Sequence, residues 1–326
     1  MKVVSTCIAT VAASVALSAA ATDTYTLRMG HIYQATHFTG ETATEFANLV
    51  NERTDGRLNI QVFPASQLGS EQDMVEALTI GTLDMTAPGS SILGEFQQQF
   101  YVVGAPFLWE SQENIHKVLS SDIGKVWEEE LEASQGLRAI SYWDRVPRHL
   151  HTKEPLLSPE ELEGVRIRVP DNPLWIETWR AFGALPTPVA LAEVYLALQQ
   201  GIVDAYEAST SYALSSGLHE VADHTTQIGY LREVNVVLIS NGALDRLPDD
   251  LQTTLLELAK EFEARATEIA AGDVAVSEGE LATRGHTFHE VDLAPWMERA
   301  TAAVEALAER WGGMELYEDI QSMQEN

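Results

Sequence analysis

An α/β fold in two lobes is what this chain predicts, on three observations. The chain has 326 residues and is 45% hydrophobic, enough for more than one sizeable core. Strand-like and helix-like stretches alternate from its first third onward, the rhythm of an α/β lobe. No Gly/Ser/Pro-rich linker, repeat or low-complexity tract interrupts them. The lobes would therefore be joined by several ordinary crossings rather than by one tether.

The elements follow in order. TYTLRMGH (Thr24 to His31) alternates apolar and polar residues, the period of a half-buried strand. Phe46, Leu49 and Val50 then recur at helical spacing, and Gly56 suits the end of that helix. LNIQVFP, from Leu58, reads as a second strand. Ser70 caps a helix that ends at Gly81, and a short strand runs from it into a Gly/Ser turn. Residues 136–170 hold three strand-like pieces. Before the last of them, SPEE (Ser158 to Glu161) is a capping box with proline at the first helical position. Two helices closed by Gly183 and Gly201 come next, then the strands IVDAYEAS and EVNVVLIS. From Leu251, the positions Leu255, Leu258, Phe262, Ala266 and Ile269 form one stripe on a long helix starting near Pro248.

The formal charge of −29 makes nucleic acid and anionic lipid surfaces poor partners. At the N-terminus, Lys2 precedes an apolar run and small residues at Ala19 to Ala21. Residues 1–21 read as a secretory signal peptide cleaved near Ala20 or Ala21. The one cysteine, Cys7, lies inside it, so the mature chain is expected to carry no thiol and no disulfide. No later segment is long and apolar enough to span a bilayer, and stable membrane insertion is not expected.

Catalytic motifs are missing. There is no Gly-x-Gly-x-x-Gly, no P-loop and no Gly-x-Ser-x-Gly elbow. The histidines of HEVADH, His219 and His224, are five apart and do not share a helix face. The expectation is no enzyme, no metal and no cofactor. The arginines stand out instead: Arg145, Arg148, Arg166, Arg168 and Arg180 fall in one short region of an acidic chain. In GVRIRVP, Val165, Ile167 and Val169 alternate with Arg166 and Arg168, and Pro170 stops the strand. Strand ends are where open α/β folds bind ligands. Two readings stand: weak surface pairs with nearby acids, or a fixed anion site built on guanidinium forks.

The segment LEGVRIRVPDNPLWIETWRAFGALPTPVALAEVYLALQQGIVDAYE (Leu162 to Glu207), with RHLHTKEP upstream, resembles the solute-binding proteins of tripartite ATP-independent periplasmic (TRAP) transporters, the DctP-type family. LRMGH, FPASQLGSEQDMVEALTIGTLDMT and GAPFLW extend the likeness over nearly the whole mature chain. The resemblance implies a two-lobed periplasmic binding protein with a central ligand cleft, mixed sheets in each lobe and a long helix spanning both. Residues 22–145 plus about 232–274 would form one lobe, and 146–231 plus about 275–326 the other. Arg168, before Val-Pro, matches the arginine that clamps the ligand carboxylate, and Arg148 a second arginine reaching the same anion. Arg166 falls where the family has a solvated lysine.

Other positions carry over as well. Trp143 and Asp144 match an aromatic and an acid near the ligand. Asn172, Trp175 and Tyr206 serve either as cleft wall or as packing. Gly89 and Ser90 match a ligand-facing loop, and His37 a helix-start position near the cleft. The family's Val-Asp-Gly-x-Glu-Asn reads VDAYEA here, so Ala205 and Ala208 replace a glycine and a polar pin, while Glu207 is retained for structure or for ligand. The implied activity is capture of a small organic carboxylate, a hydroxy acid or sugar acid, and its delivery to TRAP membrane permease subunits by a monomeric receptor. Two alternatives stand beside it. One is an amine-bearing solute, such as an ectoine-like zwitterion or amino alcohol, met by Asp144 or Glu207. The other is a secreted sugar-acid enzyme.

Overall fold

The computed structural model describes residues 23–324. The expected signal segment, with Cys7, lies outside them. The described residues form the strands β1 (Tyr25–Gly30), β2 (Leu58–Phe63), β3 (Met85–Thr86), β4 (Leu137–Asp144), β5 (Arg148–Thr152), β6 (Arg166–Val169), β7 (Leu185–Pro188), β8 (Ala205–Ala208), β9 (His224–Leu231), β10 (Val234–Ser240) and β11 (Thr287–His289). They pair into two sheets, one per lobe. The first runs β2-β1-β3-β10-β4 and the second β11-β9-β5-β8-β6-β7.

Both sheets are mixed. In the first, β1 is parallel to β2 and β3, while β10 is antiparallel to β3 and β4. In the second, β5 is antiparallel to β8 and β9, and β6 is parallel to β7 and β8. The chain thus enters the second lobe between β4 and β5 and returns between β9 and β10. These crossings, residues 145–147 and 232–233, lie side by side. The Arg145 N–H donates to the Glu233 carbonyl at 3.1 Å. Gln112 Nε2 donates to the carbonyls of both Arg145 and Glu233 at 2.9 Å.

The expected capping signals are where the sequence puts them. Ser70 and Asp73 close a capping box on the helix Glu71–Thr79. Ser158 and Glu161 close another on the single turn Pro159–Leu162. The helix begun at Pro248 runs Asp249–Thr283, 35 residues, or about 50 Å at 1.5 Å per residue. Its first half packs on the first sheet, where Ser141 Oγ donates to the Ala259 carbonyl at 2.8 Å. Its last turns pack on the second lobe, through Thr210 with Ser277 and Gln227 with Glu278. The final helix Met314–Gln324, expected with the second lobe, makes its contacts on the first: Lys117 Nζ donates to the Met323 carbonyl at 2.6 Å.

The second lobe buries an unusual chain of imidazoles. His151 Nε2 meets the Ala208 carbonyl at 3.0 Å, its Nδ1 meets Thr225 Oγ1 at 2.8 Å, and Thr225 Oγ1 meets His286 Nε2 at 2.6 Å. His149 Nδ1 accepts from the Gly229 N–H at 3.0 Å. Burial pulls His149 and His286 down to about 4, and does the same to His31 in the first lobe.

A depressed histidine pKa means that the unfolded chain binds protons the folded chain refuses. Stability is whole above the unfolded value near 6.5 and is lost as pH falls toward about 4. Carbon-13 titration of labelled histidines should therefore find His31, His149 and His286 still neutral at about pH 5. Ordinary midpoints near 6.5 for all three would contradict this packing.

Candidate functional site

A cavity of about 620 Å³ opens between the lobes. The first lobe contributes Tyr33 and His37 from the loop after β1, and the start of the helix Glu71–Thr79. The crossings contribute Arg145 and Glu233, and the start of β5 contributes Arg148. The second lobe contributes Arg168 at the end of β6, Trp175 from the helix Pro173–Ala181, and Tyr212. Residues of both lobes line the space, and neither lobe encloses it alone.

The three arginines differ in their partners. Arg145 Nε donates to Asn235 Oδ1 at 2.8 Å, one terminal nitrogen meets Glu233 at 2.8 Å and the other Glu71 at 2.6 Å. Its guanidinium also lies 5.5 Å from the centre of the Tyr33 ring. Burial works against that charge, but the two carboxylates and Tyr33 outweigh it and the pKa ends above its ordinary value. Gly89 makes this arrangement possible. A Cβ there would stand 2.2 Å from the Arg145 guanidinium.

Arg148 is held in bidentate fashion by Glu207, at 2.5 and 2.6 Å. Glu207 is buried and also accepts from the Tyr230 hydroxyl at 2.8 Å. That hydroxyl in turn accepts from Trp179 Nε1 at 3.1 Å. The Arg148 guanidinium lies 5.9 Å from the centre of the Trp175 ring.

Arg168 is different. It is 3% exposed, donates from Nε to the Val189 carbonyl at 2.8 Å, and has no carboxylate partner among the described residues. Burial is the chief influence on it, with Arg148 acting the same way and Glu207 against, and its pKa falls to about 10. It therefore stays charged at neutral pH. A buried cation without a counter-ion, facing a cavity, is an anion site.

The expected site residues divide. Arg148, Arg168, Trp175 and His37 line the cavity. His37 also caps the helix Phe38–Arg53 through Nδ1 and stacks on Tyr33 at 4.3 Å, while its Nε2 has no partner. The others lie outside the lining. Trp143 sits in the core of the first lobe, edge-on to Phe46 and Phe262. Asp144 pairs with His116 at 2.5 Å. Asn172 caps the helix Pro173–Ala181 and reaches Glu95 with its amide. Tyr206 stacks on His151 at 4.6 Å. Ala208 gives its carbonyl to His151. Gly89 donates its N–H to Glu71, and the buried Ser90 hydroxyl has no partner. Glu207 acts through Arg148.

Missed by sequence reasoning were Tyr33, Glu71, Asp73, Tyr212 and Glu233, and Arg145 was noted only as one of five arginines. Arg166 lies on the surface, paired with the half-buried Asp204.

Two lobes around a cavity with a buried, uncompensated cation define a solute-binding protein. The chain belongs to the DctP family, bacterial extracellular solute-binding protein family 7, whose model matches residues 29–310. It is similar to a solved TRAP periplasmic solute-binding protein of Roseobacter denitrificans with bound L-galactonate: 30% identity, 92% of this chain and 98% of that one covered, TM-score 0.84. A second solved TRAP protein, from Polaromonas, holds D-erythronate: 27% identity, coverage of 91% and 98%, TM-score 0.84. A third relative, the C4-dicarboxylate-binding periplasmic protein DctP of Rhodobacter capsulatus, is 31% identical over 314 residues, 92% of each chain.

The two ion pairs made by Arg148 and Arg166 should behave differently. Glu207→Ala strands the Arg148 charge in a buried site and should lower the unfolding free energy by roughly 3–5 kcal/mol. Asp204→Ala should change it by under about 1 kcal/mol. Urea denaturation measures both. Equal losses would show that the Arg148–Glu207 pair is not the buried strut described.

Proposed function

We propose that this protein is a periplasmic receptor for a hydroxylated monocarboxylate, a sugar acid or short hydroxy acid, which it delivers to a TRAP membrane permease. One observation carries the reading: Arg168 is a buried guanidinium at a cavity wall with no carboxylate of its own. A ligand carboxylate supplies the missing partner, and the guanidinium fork suits its two oxygens. The Trp175 and Tyr33 rings give the ligand apolar cover. His37, Glu71 and Tyr212 offer groups that hydroxyls can meet. The relatives' ligands, galactonate and erythronate, are acids of this kind, which favours the acid over an amine-bearing solute.

The chemistry is binding alone. The residues facing the cavity form counter-ions and hydrogen bonds rather than a nucleophile poised on a base. Export through the N-terminal segment, with a mature chain beginning near Ala21 or Thr22, completes the proposal. No helix of the described residues is long and apolar enough to cross a membrane.

A thermal-shift screen of sugar acids, hydroxy acids, amines and ectoine-like zwitterions tests the ligand class. A tight ligand at 100 to 1,000 times its Kd should stabilise the fold by about 3–4 kcal/mol. Sugar acids should produce the shift. Stabilisation by amines alone would replace the reading with the amine alternative. In calorimetric titration with the acid that shifts most, Arg168→Ala should cost roughly 2–5 kcal/mol of binding. Arg166→Ala should cost almost nothing, and equal losses would remove Arg168 from its role.

A further inference from the structure

The proposed ligand carries a single carboxylate, and the cavity wall around Glu71 bears on what refuses a second. Glu71 is the first residue of its helix. Its Oε1 accepts from the Gly89 N–H at 2.9 Å and from Arg145 at 2.6 Å. Its Oε2 has no partner among the described residues, and its side chain lines the cavity at 13% exposure. Arg145, the cation beside it, is already committed on all three nitrogens, to Asn235, Glu233 and Glu71. Two carboxylates on one guanidinium leave this wall with surplus negative charge. Asp73, two residues further on, lines the same cavity, and its hydrogen bonds with Ser70 hold its carboxyl below the ordinary value. Arg148 is spent on Glu207. Of the three cavity arginines, Arg168 alone has no carboxylate partner among the described residues.

We propose, resting on the sugar-acid reading, that Glu71 limits the ligand to a single carboxylate. Its free oxygen accepts a hydrogen bond from a ligand hydroxyl, and its charge repels a second carboxylate placed there. A hydroxyl gains a charge-assisted hydrogen bond. A carboxylate in the same place has no proton to donate and meets two acids already sharing one arginine. The class accepted is that of aldonic and uronic acids. Aldaric acids, identical but for a second terminal carboxylate, are refused, as are short dicarboxylates. Family membership does not decide the point, since one relative is named for C4-dicarboxylates.

The test is calorimetry on the mature protein with matched pairs: galactonate and galactarate, gluconate and glucarate, erythronate and tartrate. For the aldonate that binds best, its aldarate partner should bind at least about a hundredfold more weakly, the penalty expected for juxtaposed like charges. Glu71→Gln keeps an acceptor for Gly89 and removes the charge. It should narrow that ratio by about tenfold or more. Glu71→Asp keeps the charge and should preserve the exclusion while weakening the aldonate. An aldarate that binds the native protein as tightly as its aldonate overturns the inference, and this needs no variant to fold. An unchanged ratio in a folded Glu71→Gln protein also overturns it. If no sugar acid binds at all, the proposed function itself fails, a separate result.

Discussion

Arg168 is sealed from water, bonded once to a backbone carbonyl, and given no acid of its own among the described residues. A buried ion of this kind costs several kcal/mol unless paired, and most folds would supply a carboxylate. Here the neighbours that could supply one are taken. Glu207 is committed to Arg148 and the Tyr230 hydroxyl, and Glu71 and Glu233 to Arg145. The fold thus carries an unmet charge at one defined place. A ligand carboxylate on Arg168, as proposed, would relieve that penalty, so that one ion pair would give both affinity and orientation.

The same network ties the binding cavity to the parts of the chain that join the lobes. Arg145 and Glu233 belong to the two short crossings, and they bond each other through backbone and side chain. Gln112 bridges both carbonyls, and Ser91 donates its N–H to Glu233 at 3.1 Å. Glu71 brings the helix beginning at the cavity into the same cluster. A hinge made of two loose connectors would let the lobes drift. Here the connectors are pinned to the first lobe, while Arg148 and Arg168 are pinned to the second by Glu207 and Val189.

Much of this fold was legible because local chemistry repeats. The alternation in Thr24–His31 and the boxes at Ser70 and Ser158 need only nearest neighbours, and they predict β1 and two helix starts. Arg168 was legible from its strand ending in proline and from the family pattern. Other parts were not. In β4, residues 140–144 are all buried, so period-2 reasoning could not tell that Trp143 faces Phe46 rather than the cavity. Asn172 was read as either cleft wall or packing, yet an asparagine before proline at a helix start is a capping signal. That signal accounts for the bond its side chain makes to the Leu174 N–H. The Arg145–Glu71–Glu233 cluster joins segments 74 and 88 residues apart in the chain. No spacing rule reaches that far. β7 went unrecognised as well: two of its four residues are proline, which only an edge strand tolerates.

A crystal structure of the mature protein with the sugar acid that stabilises it most would examine the unmet charge directly. The ligand carboxylate should lie on Arg168, with both oxygens within hydrogen-bond distance of its guanidinium and Arg148 still paired with Glu207. A carboxylate bound instead to Arg145 or Arg148, with Arg168 facing only hydroxyls, would contradict this.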